Sequence, residues 1–66
     1  MYKIKVNGKV QHQGLASEDE GYSMFTKYMK DINLRRYYDV RLLELVNPFD
    51  KVIMKRSYNE GYIEEG

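Results

Sequence analysis

Residues 17–33 run Ser17-Glu18-Asp19-Glu20-Gly21-Tyr22-Ser23-Met24-Phe25-Thr26-Lys27-Tyr28-Met29-Lys30-Asp31-Ile32-Asn33, and this stretch decides the architecture. Ser17 is suited to accept a hydrogen bond from the backbone at a helix start. Glu20, three residues on, can reach back as its capping-box partner, and Glu18, Asp19 and Glu20 together meet the positive end of the helix dipole. Tyr22, Phe25, Tyr28, Met29 and Ile32 then recur at spacings of three and four and form one apolar stripe, with Lys27 and Lys30 outside it. Asn33 is a suitable stop. A helix that is apolar along one stripe has to cover another element, and the flanking segments supply a sheet.

Upstream, Tyr2, Ile4 and Val6 alternate with Lys3 and Lys5, the period-two pattern of a half-buried strand. Asn7-Gly8 signals a hairpin. A two-residue loop would oppose Lys5 to Val10 and put the apolar sets of the two strands on opposite faces. A three-residue loop, Val6-Asn7-Gly8 with Gly8 left-handed, opposes Ile4 to Val10 and Tyr2 to His12, and is the register expected.

Downstream, Arg36 to Val46 is rich in strand formers, with Tyr38, Val40 and Leu42 on one face and Tyr37, Asp39 and Arg41 on the other. After Leu42 the phase changes, because Leu43 and Leu45 are apolar. Either a bulge lies near residues 42–44, or both faces are covered. Asn47-Pro48-Phe49-Asp50 is a turn in which Pro48 presets a backbone angle and Asn47 can bond its own backbone two residues on. Lys51 to Tyr58 makes a fourth strand. The segment from Asn59 to Gly66, with two glycines and three acids, is expected to fray beyond Tyr62.

The order ββαββ predicts a single α+β domain over residues 1–66. Its four-stranded antiparallel sheet takes the order 2-1-3-4, with the helix packed on one face. Phe25, Met29 and Ile32 are expected to rest on Ile4, Val40 and Val52 or Met54.

At 66 residues there is room for one core. A domain of this size buries only about 60% of the surface its unfolded chain exposes, so association with a partner or a second copy would add stability. The absence of cysteine removes disulfides, thiolate metal sites and cysteine nucleophiles, and points to a cytoplasmic home. No apolar run reaches the roughly 18 residues of a membrane span, and Met1-Tyr2-Lys3-Ile4-Lys5 lacks the apolar core of a signal peptide. The formal charge of +1 divides into +4 over residues 1–59 and −3 over residues 60–66.

His12 is the only histidine, and one imidazole without a second ligand or a positioned partner builds neither a transition-metal site nor an acid–base pair. Glu18, Asp19 and Glu20 are accounted for by the helix start. Gly8, Gly14 and Gly21 form no phosphate-binding motif. No cofactor and no catalytic activity are expected. What stands out is seven tyrosines, of which Tyr37 and Tyr62 are expected to be exposed. Alternation brings Lys3, Lys5, Tyr37, Arg41, Ile53 and Lys55 to the uncovered sheet face, joined by Leu43 or Leu45 if no bulge intervenes. Ile53 and Leu43 suit the apolar centre of a protein interface with a basic rim. The same mixture of basic and aromatic side chains also suits a single-stranded nucleic acid. Protein is the expected partner, and nucleic acid the alternative.

The hairpin Lys5-Val6-Asn7-Gly8-Lys9-Val10, followed by one amphipathic helix and a second hairpin, resembles small proteins of Gram-positive bacteria and their phages. Within that group the chain is similar to phage and mobile-element inhibitors of host defence, including anti-CRISPR proteins, which are likewise small, cysteine-poor and non-enzymatic. The resemblance implies a stoichiometric inhibitor. It rests on layout and composition over the whole chain and assigns no residue.

Overall fold

The computed structural model describes residues 1–34 and 39–58. Strands β1 (Tyr2–Val6) and β2 (Lys9–Leu15) precede helix α1 (Glu18–Asn33), and β3 (Leu42–Val46) and β4 (Val52–Ser57) follow it. The four strands form one antiparallel sheet in the order β2-β1-β3-β4. The expected ββαββ topology and strand order are therefore those of the molecule.

The first hairpin corrects the expected register. Asn7 and Gly8 both take positive φ, 52° and 85°, which is the two-residue turn whose twist matches that of the strands. Val6 pairs with Lys9 and Lys5 with Val10; a shift at Gln11 then sets Ile4 against His12, and a second shift sets Tyr2 against Leu15. The apolar mismatch that argued against this loop is real, since Val10 stays 43% exposed. Asn7 outweighs it by tying the hairpin to the approach to β3. Its Nδ2 donates to the Asp39 carbonyl at 2.7 Å, and its Oδ1 accepts from the N–H groups of Arg41 at 2.7 Å and Leu42 at 3.1 Å. Its backbone N–H donates to the Leu42 carbonyl at 2.8 Å.

The helix starts at the expected cap. The Glu20 N–H donates to Ser17 Oγ at 3.2 Å, while the Glu20 carboxylate accepts from Ala16, one residue before the cap, at 3.0 Å. The buried line of α1 is Gly21, Phe25 and Ile32, with Met24, Tyr28 and Met29 half-buried around it. Tyr22 falls outside that line. It is 38% exposed, and its hydroxyl donates to Glu18 Oε2 at 2.6 Å. Gly21 permits the close approach, because a Cβ there would stand 2.9 Å from Cδ1 of the buried Leu45.

The third strand is shorter than expected and has the opposite phase. It begins at Leu42, after Asp39 has taken a φ of 57°, and its buried members are Leu43, Leu45 and Val46. Leu43 and Leu45 point to the helix and join Ile4, Leu15, Phe25, Ile32 and Val40 in one core, so neither belongs to the open face. Val40 and Arg41 lie ahead of the strand rather than in it, so alternation counted from Val40 does not carry into β3. The expected strand residues Arg36, Tyr37 and Tyr38, and the acidic segment 59–66, lie outside the described residues.

Of Val52 or Met54, the alternatives for the core, neither is buried: Val52 pairs with Val46 on the face away from the helix and is 41% exposed, and Met54, on the helix side, is 40% exposed. An α-helix is about 10–12 Å across and strands lie about 4.8 Å apart, so one helix covers about two of four strands. Here α1 packs on β1 and β3, and to a smaller extent on β2. It leaves β4 bare.

Candidate binding edge

Antiparallel partners share a face, so the register sorts the side chains of the whole sheet. One row on the helix side runs His12, Ile4, Leu45, Met54, and the next runs Lys9, Val6, Leu43, Arg56. On the open side Val10, Lys5, Glu44 and Lys55 form one row, and Lys3, Val46 and Val52 another. Lys3, Lys5 and Lys55 are thus brought to one face as expected. Glu44 interrupts them, and Lys3 is engaged with Asp50 at 3.3 Å.

The remaining expected contact residues are placed differently. Arg41 precedes β3 rather than lying in it. Its side chain is exposed while its backbone N–H meets Asn7 and its carbonyl accepts from the Tyr58 N–H at 2.9 Å. Ile53 is the extra residue where β4 shifts register, since Leu45 pairs with Met54 and Val46 with Val52. It is half-buried and packs against the core cluster, so it is not a free apolar centre. Tyr37 lies outside the described residues.

The structure shows a different concentration of exposed apolar surface, on β4 and its turn. The β3–β4 loop closes on Asn47, whose Oδ1 accepts from the N–H groups of Phe49 and Lys51, each at 2.9 Å, as its position ahead of Pro48 implies. Asp50 at a φ of 68° completes the reversal. Phe49 is left at the tip, 86% exposed, and Val52 and Met54 follow it in the chain, exposed on opposite faces of β4. Lys51, Lys55 and Arg56 supply charge, with no carboxylate between residues 51 and 59. The Arg56 guanidinium lies 5.5 Å over the Tyr58 ring, which braces it. A depression of about 320 Å³ here is lined by Glu44, Val52, Ile53, Met54 and Lys55.

Sequence reasoning found Ile53 and Lys55 of this edge and missed Phe49, Val52, Met54 and Arg56. The signal was available in the ratio of one helix to four strands. A larger open groove of about 500 Å³, between α1 and Leu15, is lined by Asp19, Glu20, Ser23, Met24 and Lys27. Its Glu20 carboxylate is already committed to Ala16. Among the described residues no group of three or more His, Asp or Glu side chains could hold a metal ion, and no helix is long and apolar enough to cross a membrane. Comparison with known proteins finds no family model, no curated protein and no solved structure that matches the chain significantly.

Proposed function

We propose that this chain is a non-enzymatic binding protein that occupies a surface of a larger protein, with β4 and its turn as the contact. The observation that carries this reading is the exposure of Phe49, Val52 and Met54 together on one strand and its turn, ringed by Lys51, Lys55 and Arg56. Val52 on the open side and Met54 on the helix side give the sheet margin apolar surface on both faces with basic side chains alongside, a make-up suited to a protein that takes hold of the edge. An inhibitor would act in the same way, by steric occupation. The resemblance to phage-type inhibitors of host defence supplies a purpose for such occupation.

A nucleic-acid partner fits this surface less well. Glu44 places a carboxylate between Lys5 and Lys55, where a phosphate backbone would have to run. The open-face rows Val10-Lys5-Glu44-Lys55 and Lys3-Val46-Val52 carry no aromatic ring, and the contact itself exposes one, Phe49, where a single strand would stack successive bases on several.

The test is capture of partners from source-cell lysate, with and without nuclease, by the wild type and by a Phe49→Ser, Val52→Thr, Met54→Thr variant. The reading expects a nuclease-resistant protein whose affinity falls at least about thirtyfold in the variant, as 2 kcal/mol of lost contact implies. A partner released by nuclease, or one held equally by the variant, contradicts it.

A further inference from the structure

Beyond its side chains, β4 offers its backbone. In an antiparallel ladder the N–H and C=O of successive residues point alternately to the two neighbouring strands. Two bonds set the phase: the Asn7 N–H donates to the Leu42 carbonyl on the β1 side, and the Tyr58 N–H donates to the Arg41 carbonyl on the β3 side. Leu43 and Leu45 therefore turn toward β4, and Arg56 and Met54, their partners, turn toward β3. Lys55 and Ser57 are left with N–H and C=O aimed outward from the last strand of the sheet.

From this geometry we infer that β4 takes an extended acidic peptide segment as a fifth strand, through the outward backbone groups of Lys55 and Ser57. The inference rests on the protein-binding reading above and specifies its partner. A strand laid here sends its side chains alternately to the Lys55 side and to the side of Met54 and Arg56, so each face offers both a cation and an apolar contact. Acidic residues interspersed with aliphatic ones match that pattern. Strand addition draws affinity from main-chain hydrogen bonds and selectivity from the alternating side chains.

A second copy of this chain is a poor occupant, because β4 against β4 would bring Lys51, Lys55 and Arg56 of each copy together with no acid between residues 51 and 59 to offset them. The opposite edge is not equivalent either. Strand β2 shifts register twice against β1 and passes through Gly14 at a φ of 83°, and such interruptions break the even spacing that an added strand needs.

The test uses a labelled synthetic peptide of alternating Glu and Val, about eight residues long, a little more than a typical strand. It is titrated into the full chain by fluorescence anisotropy alongside a Lys-Val peptide of equal length. Ser57→Pro removes an outward N–H that the sheet does not use, so the melting transition stays and peptide affinity falls at least tenfold or so, whereas Arg56→Pro removes an inward N–H and unfolds the chain. Lys55→Glu with Arg56→Glu reverses the preference to the Lys-Val peptide. The Glu-Val peptide N-methylated at every second residue loses binding in one of its two phases, a result that does not depend on any variant folding.

Equal binding of the acidic and basic peptides, or of wild type and a folded Ser57→Pro, overturns the inference. So does a concentration-dependent dimer that the peptide fails to dissociate, which would make a second copy the occupant. If no peptide binds while the Phe49, Val52 and Met54 variant still loses its captured partner, strand addition is refuted and the side-chain interface stands. If that variant also keeps its partner, both fail.

Discussion

The two hairpins of this sheet are closed by the same residue type and put to opposite uses. Asn7 closes β1–β2, and its side chain reaches residues 32 to 35 positions away in sequence, fixing the route from α1 into β3. Asn47 closes β3–β4 and bonds only within its own loop, to Phe49 and Lys51. The first hairpin is thus joined to the rest of the molecule through its turn, while the second leaves a phenylalanine at its tip and a basic strand at the sheet margin. The difference shows how a small domain can invest its packing in one half of the sheet and present the other.

The largest effect should come from the packed half. Phe25 is 1% exposed at the centre of the core, and Phe25→Ala should cost about 3–5 kcal/mol, which is most of what a core of this size supplies. Met54→Ala, on the row that leaves the helix, should cost less than about 1 kcal/mol. Urea denaturation of the two variants measures the contrast, and similar midpoints would show that the helix covers β4 after all.

The two asparagines give the next contrast. Asn7→Ala removes three side-chain bonds and places a Cβ-bearing residue without a polar side chain at positive φ, for an expected loss of about 2–3 kcal/mol. Asn47→Ala loses two local bonds and should cost about 1 kcal/mol. If the two were equal, the long reach of Asn7 would contribute nothing beyond its turn.

Much of this was legible in the residues. The capping set at Ser17, the Asn-Gly turn and the Asn-Pro turn are local signals, and the strand order followed from them. What escaped depended on distance. The register of β1 on β2 turns on bonds from Asn7 to residues far along the chain, and the phase of β3 turns on where the strand begins, at Leu42 and after Val40. The bareness of β4 comes from a comparison of widths that no single strand records. For that reason the expected contact set kept Lys5 and Lys55 on the open face but credited it with Leu43 or Leu45, which are core.

A smaller effect concerns Tyr22, which the expected stripe had turned inward. Its hydroxyl donates to Glu18, and that bond, with lesser contributions from desolvation and neighbouring carboxylates, holds its pKa above the ordinary tyrosine value of 10.0. A folded pKa raised above the unfolded value stabilises fully below the unfolded one and is lost as pH rises through the folded one. In an alkaline NMR titration Tyr22 should therefore ionise above the ordinary value, and Glu18→Gln should bring it back toward that value. No change on that substitution would detach the shift from the bond.

The contrast between a packed and a presented half is tested most directly by amide hydrogen exchange along β4, residue by residue, in the free chain and with the Glu-Val peptide at saturation. The account predicts slow exchange at Met54, Arg56 and Tyr58 and fast exchange at Lys55 and Ser57 in the free chain. The peptide should slow Lys55 and Ser57 by at least about tenfold. Slow exchange at Lys55 and Ser57 before any peptide is added would show the edge already covered, and unchanged exchange in the saturated complex would show that the partner does not add a strand there.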